Sequence, residues 1–573
     1  MRFVAFVLLV SACTASSRPR PVLITTGESS RWVRTGRYAE TINLCADFAR
    51  AYAGVHCDTI GTTGEGRPIL ALRVQKHADL PVIYVQAGIH AGEIEGKDAG
   101  FWFVRDLLDG KVAPGALDHV SLVFVPVMNP DGHERFGKNH RPNQRGPEEM
   151  GWRTNGARQN LNRDWVKADA PETQAVLGVI RRDKPVLMLD LHTTDGAKFE
   201  HDISIVIAPS APRGDQLDET AAALSHAVTK RLTELGNLPI EFYPSFVDDM
   251  DPMSGFATGE APPRFGHYYQ GARSRLAMLV ETHSWRTYKE RALSTYRTLQ
   301  AVFETATRDA TTWVRVEDEA DRADLALGGT DVTLIWDTGK GHHDIDFRGY
   351  AFEKRTSDLT GGTWLVYDET KPQIWKVPLY DELLPQITVT APRAGYVVDG
   401  GFASVVAPVL DRHGIRYTRI TGEPSARVEA FRAIKATFAA PYEGRQRAAI
   451  TGAWSAETRT LERGALFVPI AQPGVRLVLH LLDPALPDSL AQWGMFNAVF
   501  EQKEYMEPYV IEAEARAMIA ARPALKAEFD AAIAADPELA KSDEAKRDWF
   551  YKRHPAWDDR VNLIPVYRTA TPF

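Results

Sequence analysis

The chain has 573 residues, too many for one hydrophobic core, so two or more domains are expected. Hydrophobic residues make up 44% and charged residues 25%, the balance of an ordinary soluble globular protein. Lys and Arg number 67 against 75 Asp and Glu, a net charge of −8 with no basic run, which removes nucleic acid from the expected partners.

The first residues, MRFVAFVLLVSAC, carry one cation at Arg2 and an apolar run from Phe3 to Val10. Such a run is too short to cross a bilayer as a helix but suits a secretory signal. It ends in Val10-Ser11-Ala12-Cys13, which resembles a bacterial lipobox, whose Cys becomes the lipidated first residue. The expectation is a signal peptide within 1–20, a lipid anchor to a membrane through Cys13, and an exported chain that is periplasmic, anchored to the outer membrane or secreted. A plain signal peptide with a chance Cys is the alternative. Cys45 and Cys57 remain, twelve positions apart. In an oxidising compartment they can close a disulfide; as two buried thiols they need not, and the sequence leaves both open.

From about residue 36 to 310, apolar strand-like runs alternate with amphipathic helical stretches. Strands are expected at 69–74, 81–86, 121–127, 185–191, 204–208 and 275–281, and helices at 38–52, 93–108, 172–182, 215–235 and 287–312. Continuous apolar strands separated by helices predict an α/β sheet covered on both faces. Residues 316–400 turn rich in Thr, Trp, Tyr and Gly and read as short strands. A helix-strand unit at 402–420 follows, then strands to about 480 and an Ala- and Glu-rich helical stretch at 486–550. This organisation predicts one domain over 30–315 and an α+β accessory domain over 316–573.

Ligands of open α/β sheets bind beyond the carboxyl ends of the strands. Here those ends carry His90 and Glu93 after "PVIYVQAG", Asn129-Pro130-Asp131-Gly132 after "SLVFVPVM", His192 in "PVLMLDLH", and Glu281 in "RLAMLVE". Two His and one Glu are a common ligand set for catalytic zinc, which keeps a position open for water. A further carboxylate is then needed as general base, and Glu281 is the candidate.

These residues sit in motifs that resemble the zinc carboxypeptidase family of the carboxypeptidase A type. In order they are "GTTGEGRPI" (61–69), "GIHAGE" (88–93), "NPDG" (129–132), "GWRTNGARQNLNRDW" (151–165), "DLH" (190–192) and "LVETHS" (279–284). The resemblance implies an α/β/α sandwich with a mixed, mostly parallel central sheet. It implies one Zn2+ per chain on His90, Glu93 and His192, with Glu281 as base. It further implies Arg153 as the group that stabilises the oxyanion, and Asn162 and Arg163 as the pair that grips a peptide's terminal carboxylate.

Two positions depart from the family pattern. Asn160 stands where the family has an Asp that orients a ligand His. Asp164 and Asp190 are candidates to compensate. No tyrosine lies near position 259, where one that closes over the substrate is expected. The expected function is therefore a zinc metallocarboxypeptidase acting on peptides. A zinc deacylase or amidase on N-acyl amino acids or cell-wall peptides, and a non-catalytic envelope binding protein, are the rivals. Among residues set aside, Glu95 is expected to be a solvated helix residue and His283 a packing residue. Arg273 and Arg275 are expected as strand-flank charges and "GKGHHDIDF" (339–347) as a solvated turn, with Trp364 and Trp375 as core. Oligomeric state is not legible.

Overall fold

A computed structural model describes residues 22–573; the signal and lipobox readings fall on residues outside them. Its centre is an eight-stranded sheet. The strands in chain order are β1 (Val55–Thr62), β2 (Pro68–Val74), β3 (Val82–Ala87), β4 (Ser121–Val125), β5 (Leu187–Thr193), β6 (Ile203–Ala208) and β7 (Pro239–Ile240). β8 (Phe256–Ala257) pairs elsewhere, and β9 (Ala277–Thr282) completes the sheet. The spatial order is β1-β2-β4-β3-β5-β9-β6-β7. The pairs β3/β4, β3/β5, β5/β9 and β6/β7 are parallel, while β1/β2, β2/β4 and β6/β9 are antiparallel. This is the mixed, mostly parallel sheet expected. β3, β4, β5 and β9 are buried almost throughout, which is why they read as unbroken apolar runs. β1, at the sheet edge, is partly or fully exposed beyond Val55 and escaped a search for such runs.

One face of the sheet packs on helices Tyr38–Ala51, Glu95–Leu108, Gln216–Glu234 and Tyr288–Asp324, through Phe48, Phe101, Leu224 and Phe303. The last helix starts where Thr287 caps it and Glu290 returns the bond, and it runs on to Asp324. It thus passes through 315, the division read from composition, and the next strand begins at Asp331. Cys45 and Cys57 form a disulfide from the first of these helices to β1, with Cα atoms 5.4 Å apart.

The other face is covered by helix Pro171–Asp183 and by the C-terminal region, whose Tyr396, Leu410, Leu477 and Trp493 share one core with Tyr84, Met188 and Trp165. That region is built on an antiparallel six-stranded sheet that includes the final strand Leu563–Thr569, which the sequence reading did not single out. Residues 475–482, expected as strand, form a helix; a short apolar run does not distinguish the two by periodicity. A hairpin of His342–Thr356 and Thr363–Tyr380 pairs with β8 and seats Trp375 in a core with Phe256 and Phe347, whereas Trp364 is 53% exposed. The histidines of 339–347 lie exposed on this hairpin. Residues 508–551 form a helical tail with its own small core around Leu525 and Phe550. Among the described residues, no helix is long and apolar enough to cross a membrane.

Candidate active site

The chain leaves β3 through Gly88, whose φ of +63° an L side chain rarely adopts, and turns so that His90 and Glu93 face the end of β5. The turn after β4 is closed by the Asn129 side chain, which accepts a hydrogen bond from the Gly132 N–H at 2.9 Å. Asp131 in that turn accepts from Thr63 Oγ1 and from Arg67, each at 2.7 Å, so "GTTGEGRPI" and "NPDG" brace one another beneath the site.

His90, Glu93 and His192 are buried, and one donor atom from each lies within 4.8 Å of the others. His90 Nδ1 is 3.0 Å from Glu93 Oε1, and His192 Nδ1 is 3.0 Å from Glu93 Oε2. The opposite nitrogens are held in turn. His90 Nε2 is 3.0 Å from Asn160 Oδ1, and His192 Nε2 is 3.0 Å from Asp190 Oδ2. Both rings therefore present Nδ1 to one point, the arrangement in which outer groups fix a ligand's tautomer. Neither proposed compensator serves His90. Asp164 binds Lys167 and the Ala170 N–H, and Asp190 serves His192, so the Asn160 amide oxygen itself takes the role.

Burial opposes charge on His192, but Asp190 and Glu93 outweigh it and raise its pKa well above the usual value. Burial, with Arg153 and His192 adding to it, lowers His90 to about 4 despite Glu93. The cluster thus offers one neutral imidazole, a second beside two carboxylates, and Glu93 itself. This donor set favours a small divalent cation and fits zinc.

Glu281 stands on β9 directly in register with His192 on β5. It is 7% exposed, and its Oε2 has no hydrogen-bond partner among the described residues. Burial raises its pKa, and the nearby Glu93, Asp190 and Asp195 add to the rise against the pull of His192. Arg153 is half-buried with Nη1 3.6 Å from Glu93 Oε1. Asn162 Oδ1 accepts from the Gly266 N–H at 3.0 Å, and the Arg163 guanidinium stacks 3.9 Å over the Phe265 ring. All seven expected site residues line one cavity of about 340 Å3, whose other walls include Val206, Ala257 and Leu279.

The sequence reading missed several groups. Arg141 is buried with Nη2 2.8 Å from Glu93 Oε1. A Cβ at residue 92 would lie 2.6 Å from Arg141 Cγ and 2.7 Å from the Gly151 carbonyl, so the glycine of "HAGE" admits this arginine. Tyr243 lines the cavity from the loop after β7, its pKa raised by burial and by Glu281, Asp195 and Glu93. Tyr268 reaches the cavity wall, but its hydroxyl donates to the Gly259 carbonyl at 3.0 Å. Glu95, expected in solvent, is buried. It accepts from Thr193 and from Thr282 at 2.8 Å, with Arg291 3.6 Å away. His283 is packed as expected, stacked on Phe199 at 3.8 Å. Arg275 pairs with Asp321 at 2.7 Å, away from the cavity.

The C-terminal region also reaches the site. A tight turn around Tyr442–Arg445, between strands Ser425–Phe438 and Ala448–Thr460, lies against 160–169. Glu443 Oε2 accepts from the Asn160 N–H at 2.7 Å, and Arg445 forms a two-pronged pair with Asp169 at 2.7 and 2.9 Å. Tyr442 faces the Arg163 guanidinium and stacks on Trp493 at 6.0 Å. Burial lowers the Arg163 pKa, and Tyr442 offsets part of that.

Residues 41–237 match the family model described as zinc carboxypeptidase. The chain is 30% identical to a carboxypeptidase B of Helicoverpa zea over 112 residues, which are 18% of this chain and 26% of that protein. It is 30% identical to the carboxypeptidase A2 of Mus musculus over 100 residues, 17% and 23% of the two lengths. It therefore spans about a quarter of the length of these curated relatives. Among solved structures, a metallo-carboxypeptidase from Pseudomonas aeruginosa is similar at 22% identity and a TM-score of 0.36. The match covers 48% of this chain and 69% of that one. A metallo-carboxypeptidase from Burkholderia cenocepacia has the same coverage and TM-score at 18% identity.

Proposed function

We propose that this chain, whose residues 41–237 match the family model described as zinc carboxypeptidase, removes C-terminal residues from peptides as a metallocarboxypeptidase. The observation that carries this reading is the convergence of His90, Glu93 and His192 within 4.8 Å, in one cavity that Glu281 and Arg163 also line. His90, Glu93 and His192 would hold the zinc ion, which would supply the Lewis acidity needed to activate water near neutral pH and polarise a carbonyl.

The remaining work falls to this chain's own side chains. Arg163, with Asn162 beside it, binds the terminal carboxylate of the peptide and fixes which bond reaches the reacting centre. The last side chain then enters the cavity among Val206, Ala257 and Leu279, a lining that suits an apolar residue. Glu281 takes a proton from the attacking water, the work of a carboxylate held beside the reacting centre. Arg153 lies where negative charge develops on the carbonyl oxygen and stabilises it. Glu281 then returns its proton to the departing amine.

A deacylase uses the same groups but has no need of Arg163, and a binding protein needs neither Glu281 nor Arg153. The test is a C-terminal peptide ladder read by mass spectrometry with and without a chelator. Stepwise loss of terminal residues, abolished by chelation, is expected; intact peptides under both conditions would overturn the reading. The apolar run Phe3–Val10 and Cys13 support export with a lipid anchor. A Cys13→Ser chain should then leave the membrane fraction, and an unmodified Cys13 in the native protein removes the anchor.

A further inference from the structure

A second depression of about 590 Å3 adjoins the active-site cavity, and the two share Arg153 and Asp195 as walls. Arg135, His140, Arg141 and Arg158 line it as well, and Asp195 is the one acid in that lining. Four arginines around one groove are out of character for a chain with a net charge of −8. Arg141 is engaged with Glu93 at 2.8 Å and Asp195 at 3.4 Å, and Arg153 stands 3.6 Å from Glu93. Arg135 and Arg158 are exposed, and neither forms an ion pair among the described residues. Trp152 also lines the groove. The Arg135 guanidinium lies 4.4 Å over its ring, and His140 meets the same ring edge-on at 5.0 Å.

Arg158 is held by backbone. It sits in a turn closed by the Asn155 N–H to the Gln159 carbonyl, with a φ of +64°. Glycine or asparagine would occupy that left-handed position with less strain, so stability does not account for an arginine there.

The order along the cleft gives the groove its role. Arg163 holds the end of the chain on one side of the reacting centre, and Arg153 marks the scissile carbonyl. The residues upstream of the cut bond must leave past Arg153, into the groove. We infer that this groove is a binding site for acidic side chains upstream of the cleaved bond, and that the preferred substrates are peptides with Asp or Glu in the few residues before the one removed. The inference rests on the carboxypeptidase reading for its direction along the cleft, but not for the binding itself.

The experiment uses two labelled peptides that end in the same apolar residue, preceded by three glutamates in one and three glutamines in the other. Binding to the chelator-treated full-length chain is read by fluorescence anisotropy, and kcat/KM on the zinc-loaded chain by mass spectrometry. The glutamate peptide should bind about tenfold more tightly at low salt and be cleaved with a similar advantage. Both margins should shrink at about 0.5 M salt, as screened exposed charges require. Arg135→Ala with Arg158→Ala, checked for an unchanged Tm, should narrow both ratios severalfold. Equal binding of the two peptides by the native chain overturns the inference, as does a ratio that survives the double substitution. Preferential binding of the acidic peptide with no cleavage of either sustains the groove and removes the carboxypeptidase reading instead.

Discussion

The Glu443 carboxylate accepts a hydrogen bond from the Asn160 N–H at 2.7 Å, joining the C-terminal region to the residue whose side chain holds the His90 ring. Asn160 and Arg163 thus lie on one short segment, pinned at one end by Glu443, in the middle by Tyr442 and further on by Arg445 through Asp169. Residues 439–447 are part of the frame of the candidate site.

Removing those pins should loosen the carboxylate grip before it affects chemistry. Tyr442→Phe should raise KM about 10- to 100-fold for a peptide with a free C terminus, the usual worth of one hydrogen bond to a charged group. KM for the amidated peptide and kcat for either should change less than twofold. Glu443→Ala should speed hydrogen exchange in the 155–165 segment. Equal changes for acid and amide peptides would assign the turn a purely structural role.

Metal content provides a second test. The native chain should carry about one zinc by elemental analysis, and His192→Ala should lose most of it, because two protein ligands hold catalytic zinc poorly. Asn160→Asp should act in the opposite direction. A carboxylate on His90 Nε2 makes the ring more basic than an amide does, and such outer partners are worth about 10- to 100-fold in affinity. Chelator competition measures it, and weaker zinc binding in Asn160→Asp contradicts the assigned role.

Glu281→Gln keeps the shape and removes the proton acceptor. The rate should fall by about 10²–10⁴, the contribution of a positioned acid-base group, with zinc content and Tm preserved. Undiminished turnover in the zinc-loaded variant would falsify Glu281 as the base.

Stability should carry a pH signature from Glu317. This buried carboxyl accepts from the Leu276 N–H at 3.0 Å, with Arg275 3.6 Å away. Burial raises its pKa to about 8. The native chain favours its protonated form, so its contribution is full below about pH 4.5 and is lost as pH rises through 8. Glu317→Gln stays neutral throughout. Its Tm should match the native chain near pH 4.5 and exceed it by roughly 2–4 °C at pH 8–9, about 1 kcal/mol for a domain of this size. A constant difference across that range refutes the shift.

Much of the site was legible because its parts are local. His90 and Glu93 share one turn, with Gly88 before them and Gly92 between them, and the parallel strands that carry His192 and Glu281 announce themselves as apolar runs. A residue at the end of such a strand arrives at the sheet's rim whatever the rest of the chain does. Strand ends and residue types therefore determined the donor set and the α/β class. The partner of each donor was a different matter. Glu95 follows a polar turn and reads as solvated, yet Thr193, Thr282 and Arg291 converge on it from other strands and a helix. Arg141 carries no motif, and its place beside Glu93 exists because Gly92 and the path of 137–150 leave room for it. Tyr442 and Glu443 lie about 280 residues from the segment they pin, beyond the reach of any spacing rule. Sequence alone specified the groups that strands deliver. Tertiary structure decided which charges and amides face them, because those contacts depend on packing between elements far apart in the chain.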